Sequence, residues 1–156
     1  MKLPLSEEEK RQLRKAKRRI ADVSSIPTAE LADMLHISKE RAKELKALSQ
    51  FQQIPSIGYQ LAEKLVYQLR IYSLQEMQTA DPAILLNELE LRLGVWTDPC
   101  VEDQIRCVVH HANNSNSEKQ WHDFTSIRKQ YRTEHGYPAN RPQTAWYDSV
   151  GRKDER

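Results

Sequence analysis

The sequence predicts an all-α protein, a compact bundle of short helices, and three observations carry that expectation. Apolar residues recur at helical spacing, as at Leu61, Ala62, Leu65, Val66 and Leu69. Helix-start signals recur along the chain, of the Ser-x-x-Glu/Gln type at Ser6, Ser73 and Ser117 and of the Asp-Pro type at Asp81 and Asp98. Two apolar stripes meet across a very short break at Ile54–Gly58, so two helices are expected to fold back on one another there.

The 156 residues suffice for a buried core, and 38% hydrophobic content with few aromatics predicts a modest one carrying polar extensions. No apolar run reaches bilayer length, and the basic stretch Met1 to Arg19 lacks the apolar segment of a signal peptide. A cytoplasmic protein without membrane contact is expected. Cys100 and Cys107 lie seven apart on one helical face, where they cannot bridge each other, so no disulfide scaffold is expected. The formal charge of +2 identifies no partner, but its distribution is uneven. Residues 1–20 hold eight Lys or Arg against three Glu, and residues 81–104 hold six acidic residues against one Arg. Such a dipolar chain can place one face on phosphate. The expected segments are a basic N-terminal helix or arm (1–24), a helical core (25–112), and a loop, short helix and extended tail (113–156).

The first helix is expected from about Glu7 to Ile20, opened by a capping box of Ser6 and Glu9. Its apolar content is thin (Leu13, Ala16, Ile20), so its cationic run reads as a solvated face or as a phosphate-binding arm. Thr28 is expected to cap a helix over Ala29–Leu35, and Ser38 a third helix carrying Arg41, Lys43 and Lys46. Residues 28–45 resemble a helix-turn-helix, with Leu31, Ala32, Leu35, Ile37, Ala42 and Leu45 at its apolar positions and His36 where a glycine is usual. The alternative is two amphipathic helices packing on the hairpin.

In the break itself Pro55 ends one helix, and Gly58 is expected to take a positive φ before the next. Ile57 is expected to tuck back inside. The amides opening the second helix then point outward, where the helix dipole favours an anion such as phosphate. Ala62 allows close helix approach, and Lys64 lies near the same end. Residues 49–69 resemble the helix-hairpin-helix motif. The resemblance implies a grip on the backbone of double-stranded DNA without base reading, with Ser56, Ile57, Gly58, Tyr59 and Lys64 as the contact set. Lys15 and Arg18 of the N-terminal helix are expected to assist. Ser56 stands where that motif usually has its first glycine, and Tyr59 and Gln60 occupy positions that are often basic.

Ser73 and Glu76 open a short helix, and Asp81-Pro82 opens another over Pro82–Leu93, with Ile84, Leu85, Leu89 and Leu93 as its core stripe and Gly94 as its stop. Asp98-Pro99 begins a helix through Ala112. The hairpin, the Asp-Pro helix, Asp98-Pro99-Cys100-Val101 with Arg106-Cys107, and Trp121 together resemble the small bacterial proteins of the pathogenicity-locus family. That resemblance covers about residues 48–121 and implies little biochemistry. Asn113–Ser117 reads as a polar loop, and a helix from Ser117 through about Tyr131 carries Trp121, Phe124, Ile127 and Arg128 at helical spacing. Residues 137–142 are expected to be extended, Trp146 and Tyr147 to dock on the body, and Gly151–Arg156 to be disordered.

Cys100, Cys107, His110 and His111 are the cluster with metal-ligating side chains, and Cys107 with His111 has the i, i+4 spacing of a helical zinc pair. The spacing matches no common zinc module, and the valine-rich surroundings favour buried structural roles, so no metal is expected. A Cys nucleophile beside a His lacks a nameable oxyanion donor or orienting acid. The catalytic Asp or Lys that follows the motif in helix-hairpin-helix glycosylases is not seen, and the four glycines are scattered rather than gathered into a nucleotide loop. The expectation is a protein without enzymatic activity or cofactor that binds double-stranded DNA non-specifically. A protein-interaction adaptor is the second reading, and an operator-reading regulator using residues 28–48 the third.

Overall fold

A computed structural model describes residues 1–148, and among them the chain is predominantly helical, as expected, with no strand. One isolated parallel bridge joins Trp96 to Ala145. Among the described residues no helix is long and apolar enough to cross a membrane. The disorder expected of Gly151–Arg156 falls outside the described residues. The chain divides into two compact units, Met1–Met77 and a second that begins at Gln78.

In the first unit α1 (Glu7–Lys15) starts at the capping box: Ser6 Oγ accepts from the Glu9 N–H, and the Glu9 carboxylate accepts from the Ser6 N–H. It ends well short of Ile20. Lys17 turns left-handed at φ 57°, and the N–H groups of Lys17 and Arg18 return to the carbonyls of Arg14 and Leu13. This is a helix-terminating motif usually built on glycine, so nothing in the residue types announces it. A 3-10 turn (Ile20–Ser25) leads to α2 (Thr28–Leu35), whose first helical residue is Thr28 itself; Pro27 precedes it and no side chain caps it. His36 closes α2 at φ 58°, and Ser38 caps α3 (Lys39–Gln52) by accepting from the Arg41 N–H. Leu31, Leu35, Leu45, Leu48 and Phe51 pack with Val23 and Ile26 into a fully buried core.

The helix α4 (Tyr59–Glu63) continues into a π-helical turn, Lys64–Gln68, and buries Leu61, Ala62, Leu65 and Val66. One long-range ion pair ties the start of the chain to α3. Arg41 donates to both carboxylate oxygens of Glu9, at 2.6 and 2.7 Å, and also to the Pro4 carbonyl. The Arg41 guanidinium, opposed by burial, holds the Glu9 carboxyl down to about 2.

The second unit contains α5 (Pro82–Leu93), α6 (Pro99–Asn113) and α7 (Thr125–His135), the last preceded by a 3-10 turn at Trp121–Phe124. Asp81 and Asp98 cap α5 and α6, and Gly94 at φ 71° stops α5, all as the sequence predicts. Of the stripe expected on α5 only Leu89 is fully buried; Leu85 and Leu93 are half-buried. Ala83, Leu86, Leu89 and Glu90 face inward, while Ile84 is 60% exposed. Residues 83–86 are apolar all round, so periodicity allowed two stripes, and the buried Glu90 decides between them. α7 begins later than expected and runs past Tyr131 to His135, and Asp123 rather than a glutamine accepts from the backbone at its entry, through the Gln120 N–H. Trp146 returns to the body as expected through its N–H to the Trp96 carbonyl, and Tyr147 meets Trp96 edge-on at 5.8 Å.

Three carboxylates of this unit are fully enclosed, and each has arginine on it. Arg141 takes both oxygens of Glu90 at 2.7 and 3.1 Å, beside the N–H and hydroxyl of Thr97. Arg106 and Arg132 each reach Glu102 at 2.9 Å. Arg128 takes both oxygens of Asp103 at 2.8 and 3.2 Å, and the Thr125 hydroxyl donates to it at 2.8 Å. Tyr137 lies against two of these guanidiniums, with Arg132 at 4.2 Å and Arg141 at 3.6 Å from its ring centre. Buried carboxylates persist when paired and hydrogen-bonded in this way. The acidic stretch 81–104 is therefore no continuous charged face: Glu90, Glu102 and Asp103 turn inward and clasp the C-terminal segment.

Removing one partner of such a pair strands a buried charge, so Arg128→Ala is expected to cost about 3 kcal/mol in a denaturant melt. The Glu9 pair gives a pH signature. Its folded pKa of about 2 lies below its ordinary value of 4.5, so its stabilisation is complete above the ordinary value and is lost as pH falls toward the folded one. Melts between those two limits are expected to show a declining midpoint in the parent and a flatter one in Arg41→Ala.

Candidate functional site

The α3–α4 connection is a tight turn with a definite backbone geometry. The Ile57 N–H donates to the Ile54 carbonyl at 3.1 Å, Pro55 occupies the second position and Ser56 the third. Ser56 has φ 67°, whereas Gly58 is extended at φ −102°, ψ −174°. The left-handed residue is thus Ser56 and not, as expected, Gly58. The cause is local: with proline second, a turn of type II requires a positive φ at the third residue. Ile54 and Ile57 are buried beneath the turn, while Ser56 and Gly58 are exposed above it. Ile57 gives its N–H to the turn and its side chain to the core.

Gly58 stands at the N-cap of α4 and supplies no side-chain cap to its first-turn amides. A Cβ built on Gly58 would meet nothing within 4 Å. Its role is therefore not forced by a crowded backbone; it keeps the approach to those amides open. Lys64, one turn along, bends back toward the helix start and donates to the Gln60 carbonyl at 3.3 Å. Tyr59 is half-buried, and burial first and Glu63 second push its phenol up, which keeps it neutral. The Lys2 ammonium lies 5.4 Å from the Tyr59 ring centre, held there because Lys2 and Gln52 exchange two hydrogen bonds, at 2.9 and 2.7 Å. Lys2 is a residue that sequence reasoning counted among the cations and did not place at the turn. A pairing across fifty positions leaves no local signal.

Lys15 and Arg18, the two N-terminal residues expected to assist, have partners or places of their own on the first unit. Lys15 ends α1, and Arg18 reaches Glu30 of α2 at 3.9 Å. The helix-turn-helix reading also meets an obstacle. After Lys43, every residue of α3 is buried or half-buried, and Arg41 is occupied by Glu9. A recognition helix needs three or four free side chains for base edges.

In the second unit the Cys/His cluster serves a loop. Cys107 and His111 both address the Lys119 carbonyl, at 3.8 and 2.8 Å, and His110 meets the Ser117 hydroxyl at 2.8 Å. Neither cysteine is in a disulfide, and among the described residues no group of three or more His, Cys, Asp or Glu is placed to hold a metal ion. Burial, together with His111 and Lys119, lowers the His110 pKa. The Asn114 amide nitrogen lies 3.4 Å from His110 Nδ1. In the tautomer that accepts this contact, Nε2 carries the proton toward Ser117, the wrong direction for activating a nucleophile.

A family model described as "Pathogenicity locus" matches residues 28–130, beginning well ahead of the hairpin and taking in α2 and α3. No curated protein and no solved structure matches the chain.

The turn geometry predicts an inverted pattern of tolerance. Gly58→Ala is expected to leave the melting midpoint within about 0.5 kcal/mol of the parent, while Ser56→Val costs about 1–2 kcal/mol because a β-branched residue resists the left-handed region. Equal losses at the two positions would show that the turn is built otherwise.

Proposed function

We propose that this chain, which belongs to the pathogenicity-locus family, binds the backbone of double-stranded DNA through the α3–α4 turn, acting as a helix-hairpin-helix motif. The observation that carries the reading is the exposed, uncapped start of α4 behind a left-handed residue, with Lys64 and Lys2 beside it. Amides and two cations around an open glycine suit a phosphate and offer nothing to read a base. Ser56 supports the reading in a way its residue type does not, because it adopts the conformation for which the motif's usual glycine is suited.

The distribution of charge supports a role for the first unit. Residues 1–77 hold fourteen Lys and Arg against ten Asp and Glu, and residues 78–148 hold seven against ten. Of those seven, Arg106, Arg128, Arg132 and Arg141 are engaged by buried carboxylates, so the outward charge of residues 78–148 is acidic. A cytoplasmic setting is part of the proposal. A protein partner is the second reading, favoured by Ile84 and Leu91, exposed at 60% and 47% and seven residues apart on one face of α5.

Affinity for unrelated duplexes is expected to be equal and to fall about tenfold between 50 and 200 mM salt if two phosphates are neutralised. Fluorescence anisotropy measures both. Gly58→Asp with Lys64→Glu, which places carboxylates in open space, should weaken binding at least tenfold, whereas Ile84→Glu with Leu91→Glu should leave it unchanged. Absence of duplex binding at low salt, or an unaltered affinity in the first variant, removes the proposal.

A further inference from the structure

A second polar site lies in the first unit, on the side of α3 away from any role assigned above. The end of the 3-10 turn, the start of α2, the middle of α3 and the segment after α4 enclose a pocket of about 200 Å3 lined by Ser24, Thr28, Lys43, Lys46, Gln50, Tyr72 and Ser73. Donors dominate this lining. Lys46 Nζ is 3.5 Å from the Thr28 hydroxyl and Lys43 Nζ is 4.6 Å from the Tyr72 ring centre; among the described residues neither ammonium has a carboxylate within ion-pair distance.

The remaining polar atoms add to the imbalance. Ser24 Oγ accepts from the Gln53 amide at 2.6 Å, and Gln50 Oε1 accepts from the Leu74 N–H at 2.9 Å. With their acceptor oxygens so engaged, the Ser24 hydroxyl proton and the Gln50 amide protons remain to donate into the pocket. The carboxylate of Glu76, three residues beyond Ser73, is engaged by the Tyr72 N–H at 2.9 Å and the Ser73 hydroxyl at 3.1 Å. Two cations and several neutral donors without a matching acceptor describe a site for an oxyanion.

We propose that this pocket binds a phosphomonoester group. Two ammonium charges match the charge of about −1.5 to −2 that such a group carries at neutral pH better than the single charge of a phosphodiester. The site is distinct from the hairpin turn and stands whether or not the turn binds DNA. Its ligand is a small phosphorylated molecule or the 5′-phosphate of a strand, which share this chemistry.

Titrating inorganic phosphate into the full-length 15N-labelled chain at pH 7.5 and constant ionic strength tests it. Saturable amide shifts are expected at Ser24, Thr28 and along α3, persisting in Gly58→Asp/Lys64→Glu and weakened on the order of tenfold for each of Lys43→Gln and Lys46→Gln. Both lysines are exposed or half-buried and support no core packing, and thermal melts check that the variants fold. Competition by a sugar phosphate identifies a small-molecule ligand. Preference for a 5′-phosphorylated strand over its 5′-hydroxyl twin, lost in the lysine variants, identifies a strand end. Shifts no larger than chloride produces, or affinity unchanged in Lys43→Gln/Lys46→Gln, overturn the proposal, as does a strand that displaces phosphate equally well with either 5′ end.

Discussion

Short helices must keep ending, and the need to satisfy each end organises this chain. A helix leaves four amides and four carbonyls without internal partners, and with helices of five to fifteen residues that demand recurs every turn or two of sequence. Ser6, Ser38, Asp81 and Asp98 meet it by side-chain capping. Two helix starts in the first unit, those of α2 and α4, have no such cap. They are also where the two proposed phosphate contacts fall. A cap and an incoming anion satisfy the same amides, so an uncapped start beside lysines suits both proposals.

Carbonyl ends are solved in an unusual way. Residues 1–77 contain a single glycine, and it lies in extended backbone. Lys17, His36, Ser56 and Arg70 take the left-handed conformations instead. Each carries a cost of about 1–2 kcal/mol that glycine would avoid, and the surrounding core of leucines and Phe51 must supply it. In the second unit Gly94 does the same task without strain, and stability rests on the arginine clasp around Glu90, Glu102 and Asp103.

These differences explain how far the sequence could be read. The caps at Ser6, Ser38, Asp81 and Asp98 were legible, and with them both ends of α5, because they depend on residues a few positions apart. The end of α1 was not, since a lysine at positive φ has no signature. The inward face of α5 was not, because four consecutive apolar residues fit two stripes and the choice rests on Arg141, fifty-one positions away. At the candidate site the turn and Lys64 were legible. Lys2 was not, because its position follows from Gln52, and Lys15 and Arg18 were grouped with the turn on charge alone. Local chemistry was readable; pairing at a distance was not.

The inward-turned carboxylates have a consequence for how the molecule meets any charged surface. A formal total of +2 suggests near-indifference, yet it averages a cationic half with an anionic half whose arginines are largely hidden. On an ion-exchange resin, a polyanion or a lipid headgroup layer, retention depends on which half makes contact. The isoelectric point of such a protein says little about its adhesion.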